Sequence, residues 1–282
     1  MIRIVTDSTA GLPAELAAQH GIAVVPQVII FGEEQFLEME ELSGDAFMTR
    51  LQTTRILPKT AAPSPGAFET VYRPWAEAGD TILSLHPSAD ISGTVRGATA
   101  AAAAFPGTDI RILDTRTIAG PLGRLTLLAA EMAAEGRAAD EIWGRLNALA
   151  PRARIYFLVD TLEYLQRGGR IGGAAALVGS VLQIKPILGL HEGKVVVIER
   201  QRTHSRALSR LKELVIAAAA RGEAAYLAVM DAGRPLLAQT LADELQTALD
   251  APDVFSADLV PAIVTHTGPG ALGVGFFVPE TA

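Results

Sequence analysis

The sequence predicts an α/β protein of two domains, and three observations carry that reading. Through residue 150, short β-branched runs alternate with Ala/Leu/Glu-rich amphipathic segments, the pattern of a mostly parallel sheet flanked by helices. From about residue 151 the pattern changes, and a hairpin signature further on among the helices fits an α+β domain with a mixed or antiparallel sheet. The chain has 282 residues, 49% hydrophobic and 20% charged, enough for two cores. The domains are therefore expected at 1–150 and 151–282, with the boundary good to about ten residues.

Each element follows from a local signal. "IRIVTDS" is a strand, and "LPAELAAQHG" a helix with Pro13 in its first turn and Gly21 closing it. "IAVVPQVIIFG" is a second apolar run, interrupted at Pro26. "SGDAFMTRLQ" is a helix capped by Ser43. Strand "TILSLHP", helix "SGTVRGATAAAAAF", strand "DIRILDT" and helix "GPLGRLTLLAAEMAAEG" complete the first series. In the second half "RARIYFLVDT" is a strand and "GGRIGGAAALVGSVL" a glycine-flanked helix. "KPILGLHEGKVVVIERQR" is a hairpin turning at Glu192-Gly193. A helix over 204–221, strand "AAYLAVMDA", a helix over 235–249 and strands around "VFSADLV" and "AIVTH" follow, and "VGFFVP" alternates like one more strand.

Bulk properties narrow the function. A net charge of −7 and a pI near 5.3 argue against nucleic acid or an anionic membrane as the main partner. Without cysteine there is no disulfide framework, thiolate nucleophile or Cys-ligated zinc. The N-terminus turns polar at Thr6 and Asp7, unlike a signal peptide. The Ala-rich stretches are too short or too often broken by charge to span a bilayer, so a cytoplasmic protein with no transmembrane segment is expected. His20, His86, His191, His204 and His266 show no metal-ligand spacing, and neither a metal nor any other cofactor is expected.

"THTGPGALGVG" contains G-x-G-x-x-G at Gly268, Gly270 and Gly273. A dinucleotide fingerprint needs a helix opening on its third glycine and an acidic residue about 20 positions later. Here a strand-like run follows and the acid is missing, so the glycines read as a turn between two strands. "GLHEGK" is one residue short of a phosphate loop, and G-x-S-x-G does not occur. Hydroxyl, cationic and imidazole groups at element ends remain. Thr60 stands in a Pro-bounded loop, Ser92 and Thr94 at a helix start, and Arg167 and Arg170 around a diglycine turn. Singly they suit turns, caps and solvated charges; together, near helix N-termini, they suit an anion.

At these residues the sequence resembles the DegV family, fatty-acid-binding proteins that serve bacterial fatty acid kinase. The resemblance runs nearly end to end, through "VTDST", "TAAPSPGAF", "DISGTVRGA", "DTLEYLQRGGRIGG", "LQIKPILGLHEGKV", "ERQRT" and "HTGPGALGVGF". It implies two α/β domains with a long-chain fatty acid between them, its carboxylate hydrogen-bonded by Thr60, Ser92 and His266. It also implies that the nucleotide-binding protein of a fatty acid kinase phosphorylates that carboxylate, within phospholipid metabolism. Arg170 and Arg202 match basic family positions at the head group or the docking surface. Asp7, Ser8, Gly93, Thr94, Thr267 and Gly268 are the secondary pocket candidates. The sequence departs from the family pattern at Ala61, Ala62, Ala89 and Val95, where smaller side chains would reshape the tunnel. In this reading the chain itself makes no bonds. Two alternatives stay open: a lipid-handling hydrolase with Ser92 as nucleophile, His266 as base and Asp7 or Asp114 orienting it, or a lipid carrier with no kinase.

Overall fold

The computed structural model describes residues 1–54, 56–178 and 184–280. They divide into two units, Met1–Pro151 and Arg152–Ala282. The first unit opens with β1 (Ile2–Asp7), α1 (Ala14–Gln19), β2 (Ile22–Val25), β3 (Val28–Phe31), β4 (Glu34–Leu37), α2 (Gly44–Thr53) and β5 (Lys59–Ala61). It continues through α3 (Pro65–Glu77), β6 (Thr81–His86), α4 (Thr94–Ala102), β7 (Ile110–Asp114), α5 (Ala119–Ala134) and α6 (Ala139–Leu149).

Strands β2, β1, β6 and β7 form a parallel sheet in that order. Parallel neighbours need crossover connections, and the helices supply them. Val5 and Ile82 share a core with Phe68 and Tyr72 of α3 and with Ala98 and Ala101 of α4. α5 packs on β1 and β6. Because β2 lies on one side of β1 and β6 on the other, the strand order reverses between β1 and β6. In open α/β sheets ligands gather beyond the carboxyl ends of the strands at such a reversal. Here those ends are Asp7 and His86.

The interruption at Pro26 is a change of sheet. β2 ends at Val25, and after Gln27 the chain enters β3 of a small antiparallel sheet ordered β4–β3–β5. The sequence reading did not separate β4, β5, α3 or α6. Ser64, whose hydroxyl accepts the Ala67 N–H, and Pro65 in the first turn are the local signals that start α3.

The second unit comprises β8 (Ala153–Leu158), α7 (Glu163–Arg167), β9 (Lys185–His191), β10 (Lys194–Gln201), α8 (His204–Ala218) and β11 (Ala228–Asp231). α9 (Pro235–Leu249), β12 (Phe255–Asp258), α10 (Pro261–Thr267) and β13 (Leu272–Phe277) follow. Its mixed sheet runs β10–β9–β8–β13–β11–β12, with only the β11–β12 pair parallel. The β9–β10 hairpin turns through Glu192 (φ 47°) and Gly193 (φ 82°), as a type I′ turn requires. Leu211 and Val215 of α8 and Leu241 and Leu245 of α9 share a core with Leu158, Ile187, Val229 and Val274 of the sheet.

Two expectations are corrected. "AIVTH" belongs to α10, a helix rather than a strand: Pro261 sits in its first turn, where the missing N–H costs nothing, and this start outweighs the β-branched Ile263, Val264 and Thr265. The glycine run therefore joins a helix to β13 instead of joining two strands. "GGRIGGAAALVGSVL" forms a short 3-10 helix, Gly172–Leu177, because the chain turns at Gly172 with φ 49° against β10. A Cβ there would stand 2.3 Å from the Val195 carbonyl oxygen. Residues 179–182 of that stretch, and Leu182 and Gln183 of "LQIKP", lie outside the described residues.

Gly97 of α4 meets the segment after β5 at very short range: a Cβ would lie 2.8 Å from the Pro63 carbonyl oxygen. Alanine gains about 1 kcal/mol of helix propensity over glycine, but overpacking costs about 1–3 kcal/mol. Gly97→Ala should therefore lower the urea midpoint of the protein, with the slope of the transition unchanged.

Candidate functional site

In the first unit a chain of polar groups runs from the carboxyl ends of β1 and β6 to the turn before α4. Asp7 is fully buried. Its Oδ1 accepts from the Thr9 amide (3.1 Å), the Thr9 hydroxyl (2.6 Å) and the Gln27 side-chain amide (2.9 Å). Its Oδ2 lies 2.8 Å from His86 Nδ1, and His86 Nε2 lies 2.7 Å from Ser84 Oγ, which in turn lies 2.7 Å from the Tyr72 hydroxyl. With neutral imidazole every bond is satisfied in one direction: Tyr72 donates to Ser84, Ser84 to Nε2, and Nδ1–H to the carboxylate. Burial pushes the Tyr72 phenol well above its usual pKa, against the smaller opposing effect of its hydrogen bond to Ser84, so it remains a donor.

On the other side of Asp7, Gln27 Nε2 also reaches Thr94 Oγ1 at 3.0 Å, and Thr94 Oγ1 lies 2.8 Å from Ser92 Oγ. Ser92 Oγ accepts the Thr94 N–H at 3.3 Å. The helix-capping position itself is Gly93, and Ser92 is half-buried one residue before it. A Cβ on Gly93 would stand 3.4 Å from the Ala62 side chain, so the Ser92–Thr94 turn abuts the segment leaving Thr60. Thr60 is half-buried in β5, a strand rather than the expected loop because the segment pairs with β3, Thr60 opposite Ile29. Ser8, buried beside Asp7, donates to Glu38 and accepts the Gln27 backbone N–H at 2.9 Å. Asp114 accepts from the Ala89 and Arg116 amides. The imidazole bonded to Asp7 is therefore His86, and Asp114 is occupied by backbone.

In the second unit His266 sits near the end of α10, packed against the diglycine turn. A Cβ on Gly168 would fall 2.1 Å from His266 Nδ1, so only glycine leaves room for the ring. Two further glycines repeat the device. A Cβ on Gly268 would lie 2.4 Å from the Tyr164 ring, and one on Gly270 would lie 2.2 Å from Asp160 Oδ2; both residues hold φ 79°. Asp160 is gripped by Arg234 Nη2, 2.7 Å from each carboxylate oxygen. "DTLEYLQRGG" and "HTGPG" thus form one packed unit. Arg170 donates from Nη1 to the Gly168 carbonyl at 2.7 Å. Burial first, and the Arg170 charge second, lower the His266 pKa to about 4, so the ring is neutral, one N–H and one lone pair. Thr267 spends its hydroxyl on the Ile263 carbonyl at 3.1 Å. Arg167 pairs with Glu163 at 2.9 Å. Arg202 is exposed on the turn between β10 and α8, with no hydrogen bond or ion pair from its side chain among the described residues.

Sequence reasoning did not find Gln27, His86 or Glu38. Gln27 and His86 are polar side chains following or ending an apolar strand run, which was the available signal; Glu38 follows the half-polar β4 and had none. Among the described residues, no group of three or more His, Asp or Glu side chains is arranged to hold a metal ion. No helix of the described residues is long and apolar enough to cross a membrane.

A parallel-sheet unit followed by a mixed-sheet unit is the architecture of several solved proteins described as fatty acid binding. The chain belongs to the DegV family: the model described as "Uncharacterised protein, DegV family" matches residues 1–279. It is 42% identical over 275 residues to a DegV domain-containing protein of Streptomyces coelicolor, covering 97% of each chain. Among solved structures, a DegV family protein from Thermus thermophilus described for its fatty acid binding aligns with TM-score 0.90 and 32% identity over 99% of both chains. DegV from Bacillus subtilis, a fatty acid binding protein, aligns with TM-score 0.88 and 32% identity, again over 99% of both.

The Gly168 contact can be tested at the imidazole itself. Followed by NMR, His266 should titrate near pH 4, and in Gly168→Ala its pKa should rise toward the ordinary 6.5 as the ring is expelled. The backbone there has φ −74°, which alanine adopts freely, so the effect is steric. Linkage has a defined sign. The unfolded chain takes up this proton near pH 6.5 and the folded chain only near 4, so stability is complete above about 6.5 and is lost as pH falls toward 4. Denaturant midpoints between those values should fall more steeply for the wild type than for His266→Asn.

Proposed function

We propose that this chain binds a long-chain fatty acid and presents its carboxylate to a fatty acid kinase, which supplies ATP and makes the acyl-phosphate. The observation that carries this reading is the 32% identity, over 99% of both chains, to a Thermus thermophilus protein described for its fatty acid binding. The proposed carboxylate ligands are Thr60, Ser92 and His266, with Arg170 and Arg202 serving the head group or the partner. Two hydroxyls and a neutral imidazole can each contribute a donor without placing a second full charge beside the carboxylate. Burying about 15 methylenes contributes on the order of 12 kcal/mol gross, most of which an unpaired head group would forfeit. A cytoplasmic location belongs to the same proposal.

Presentation is favoured over hydrolysis by the distribution of the polar groups. Ser84, His86 and Asp7 have the connectivity of a catalytic triad, but each is 0% exposed, out of reach of an ester. Ser92, a half-buried hydroxyl, is bonded within its own unit to Thr94, an arrangement that does not supply a base.

Mass spectrometry of lipid extracted from the purified chain should reveal a long-chain fatty acid, and its absence from every preparation would refute binding. ATP and magnesium should yield acyl-phosphate only when a fatty acid kinase nucleotide-binding protein is added. Turnover by the chain alone would make it an enzyme, and no turnover with the kinase would leave a carrier. Ser92→Ala or His266→Ala should each weaken fatty acid binding by about 10- to 150-fold, the range for a hydrogen bond to a charged group.

A further inference from the structure

The turn before α4 has a hydrogen-bond polarity that can be worked out by counting hydrogens. Gln27 must direct its amide nitrogen at Asp7, because the flipped amide would set its oxygen against a carboxylate that already accepts from Thr9 and His86. The second hydrogen of that nitrogen goes to Thr94 Oγ1 at 3.0 Å. Thr94 is fully buried, and among the described residues its hydroxyl hydrogen-bonds only Gln27 and Ser92. Its own hydrogen must therefore go to Ser92, since any other placement leaves a buried donor unmade. Ser92 Oγ then accepts twice from Thr94, from the hydroxyl at 2.8 Å and from the backbone N–H at 3.3 Å. Both lone pairs are engaged, and the single Ser92 hydrogen is left to donate outward from a half-buried position.

We propose that Gln27 and Thr94 are positioning residues that make Ser92 an obligate donor, anchored on the buried Asp7 carboxylate. The site consequently takes an acceptor head group, a carboxylate or the acyl-phosphate made from it. This rests on the functional reading above, in which Ser92 faces the lipid carboxylate. Orienting the hydroxyl before the ligand arrives removes a competing rotamer, and with it the chance that two lone pairs face a carboxylate oxygen.

The test is a double-mutant cycle read by equilibrium binding of a C16 fatty acid. Thr94→Val keeps the side-chain shape, and the variant should bind on the order of tenfold more weakly or worse, as loss of a hydrogen bond to a charged group implies. Thr94→Ser, which restores the hydroxyl, should recover the affinity. In a Ser92→Ala background Thr94→Val should have no further effect, because Thr94 acts through Ser92. Additive losses, or a valine variant with wild-type affinity, overturn the assignment. Should the valine variant not fold, neutron diffraction on the wild-type chain reads the atoms directly. Deuterium on Thr94 Oγ1 directed at Ser92 supports the proposal, and deuterium on Ser92 directed at Thr94 overturns it. A wild-type chain that binds no fatty acid overturns the functional reading, whereas one that binds with no coupling between the two positions overturns only this one.

Discussion

The first unit is organised around the Asp7 carboxyl group, which water does not reach. A buried carboxylate is tolerable only when donors converge on it, and Asp7 receives them from three places in the sequence. Thr9 comes from the turn just after β1, Gln27 from the crossing between two sheets, and His86 from the end of the neighbouring strand. Each is held where Asp7 needs it, so the loops that emerge beside them inherit defined positions. The Ser92 turn is one such loop, and the small antiparallel sheet that carries Thr60 is entered directly from Gln27.

The second unit fixes its histidine by a different means. Where the first unit uses hydrogen bonds, the second uses space: the His266 ring, the Tyr164 ring and the Asp160 carboxylate each press against a glycine. Replacing a bond partner leaves an unsatisfied group, whereas filling a glycine's space moves the backbone. The first kind of site is sensitive to chemical identity and the second to volume.

Much of this was legible in the sequence where a local rule decides the outcome. Ser43 caps α2, the Glu192-Gly193 pair turns the hairpin, and α9 occupies 235–249 as its periodicity implies. The failures came where tertiary context outweighs local preference. Ile263, Val264 and Thr265 favour a strand by propensity, yet Pro261 and the packing of α10 on α7 make them helical. Gly172 looks like a helix boundary, but the Val195 carbonyl bars any side chain there and tightens the turn. Of the candidate residues, Asp7, Ser8 and Thr94 are named in the sequence by their place in motifs. Their partners Gln27 and His86 are not, because the partnership joins positions 20 and 79 residues from Asp7.

The strand order of the second sheet also bears on how the chain is made. β13, the last strand, lies between β8, the first of its unit, and β11. The strands of the first parallel sheet have all been synthesised by Asp114, so that sheet can assemble while the ribosome is still working. The second sheet cannot: until Leu272–Phe277 emerges, β8 and β11 have no strand to join them. During translation the inner edges of β8 and β11 stay unpaired until β13 is made, exposed to any other strand that could pair with them.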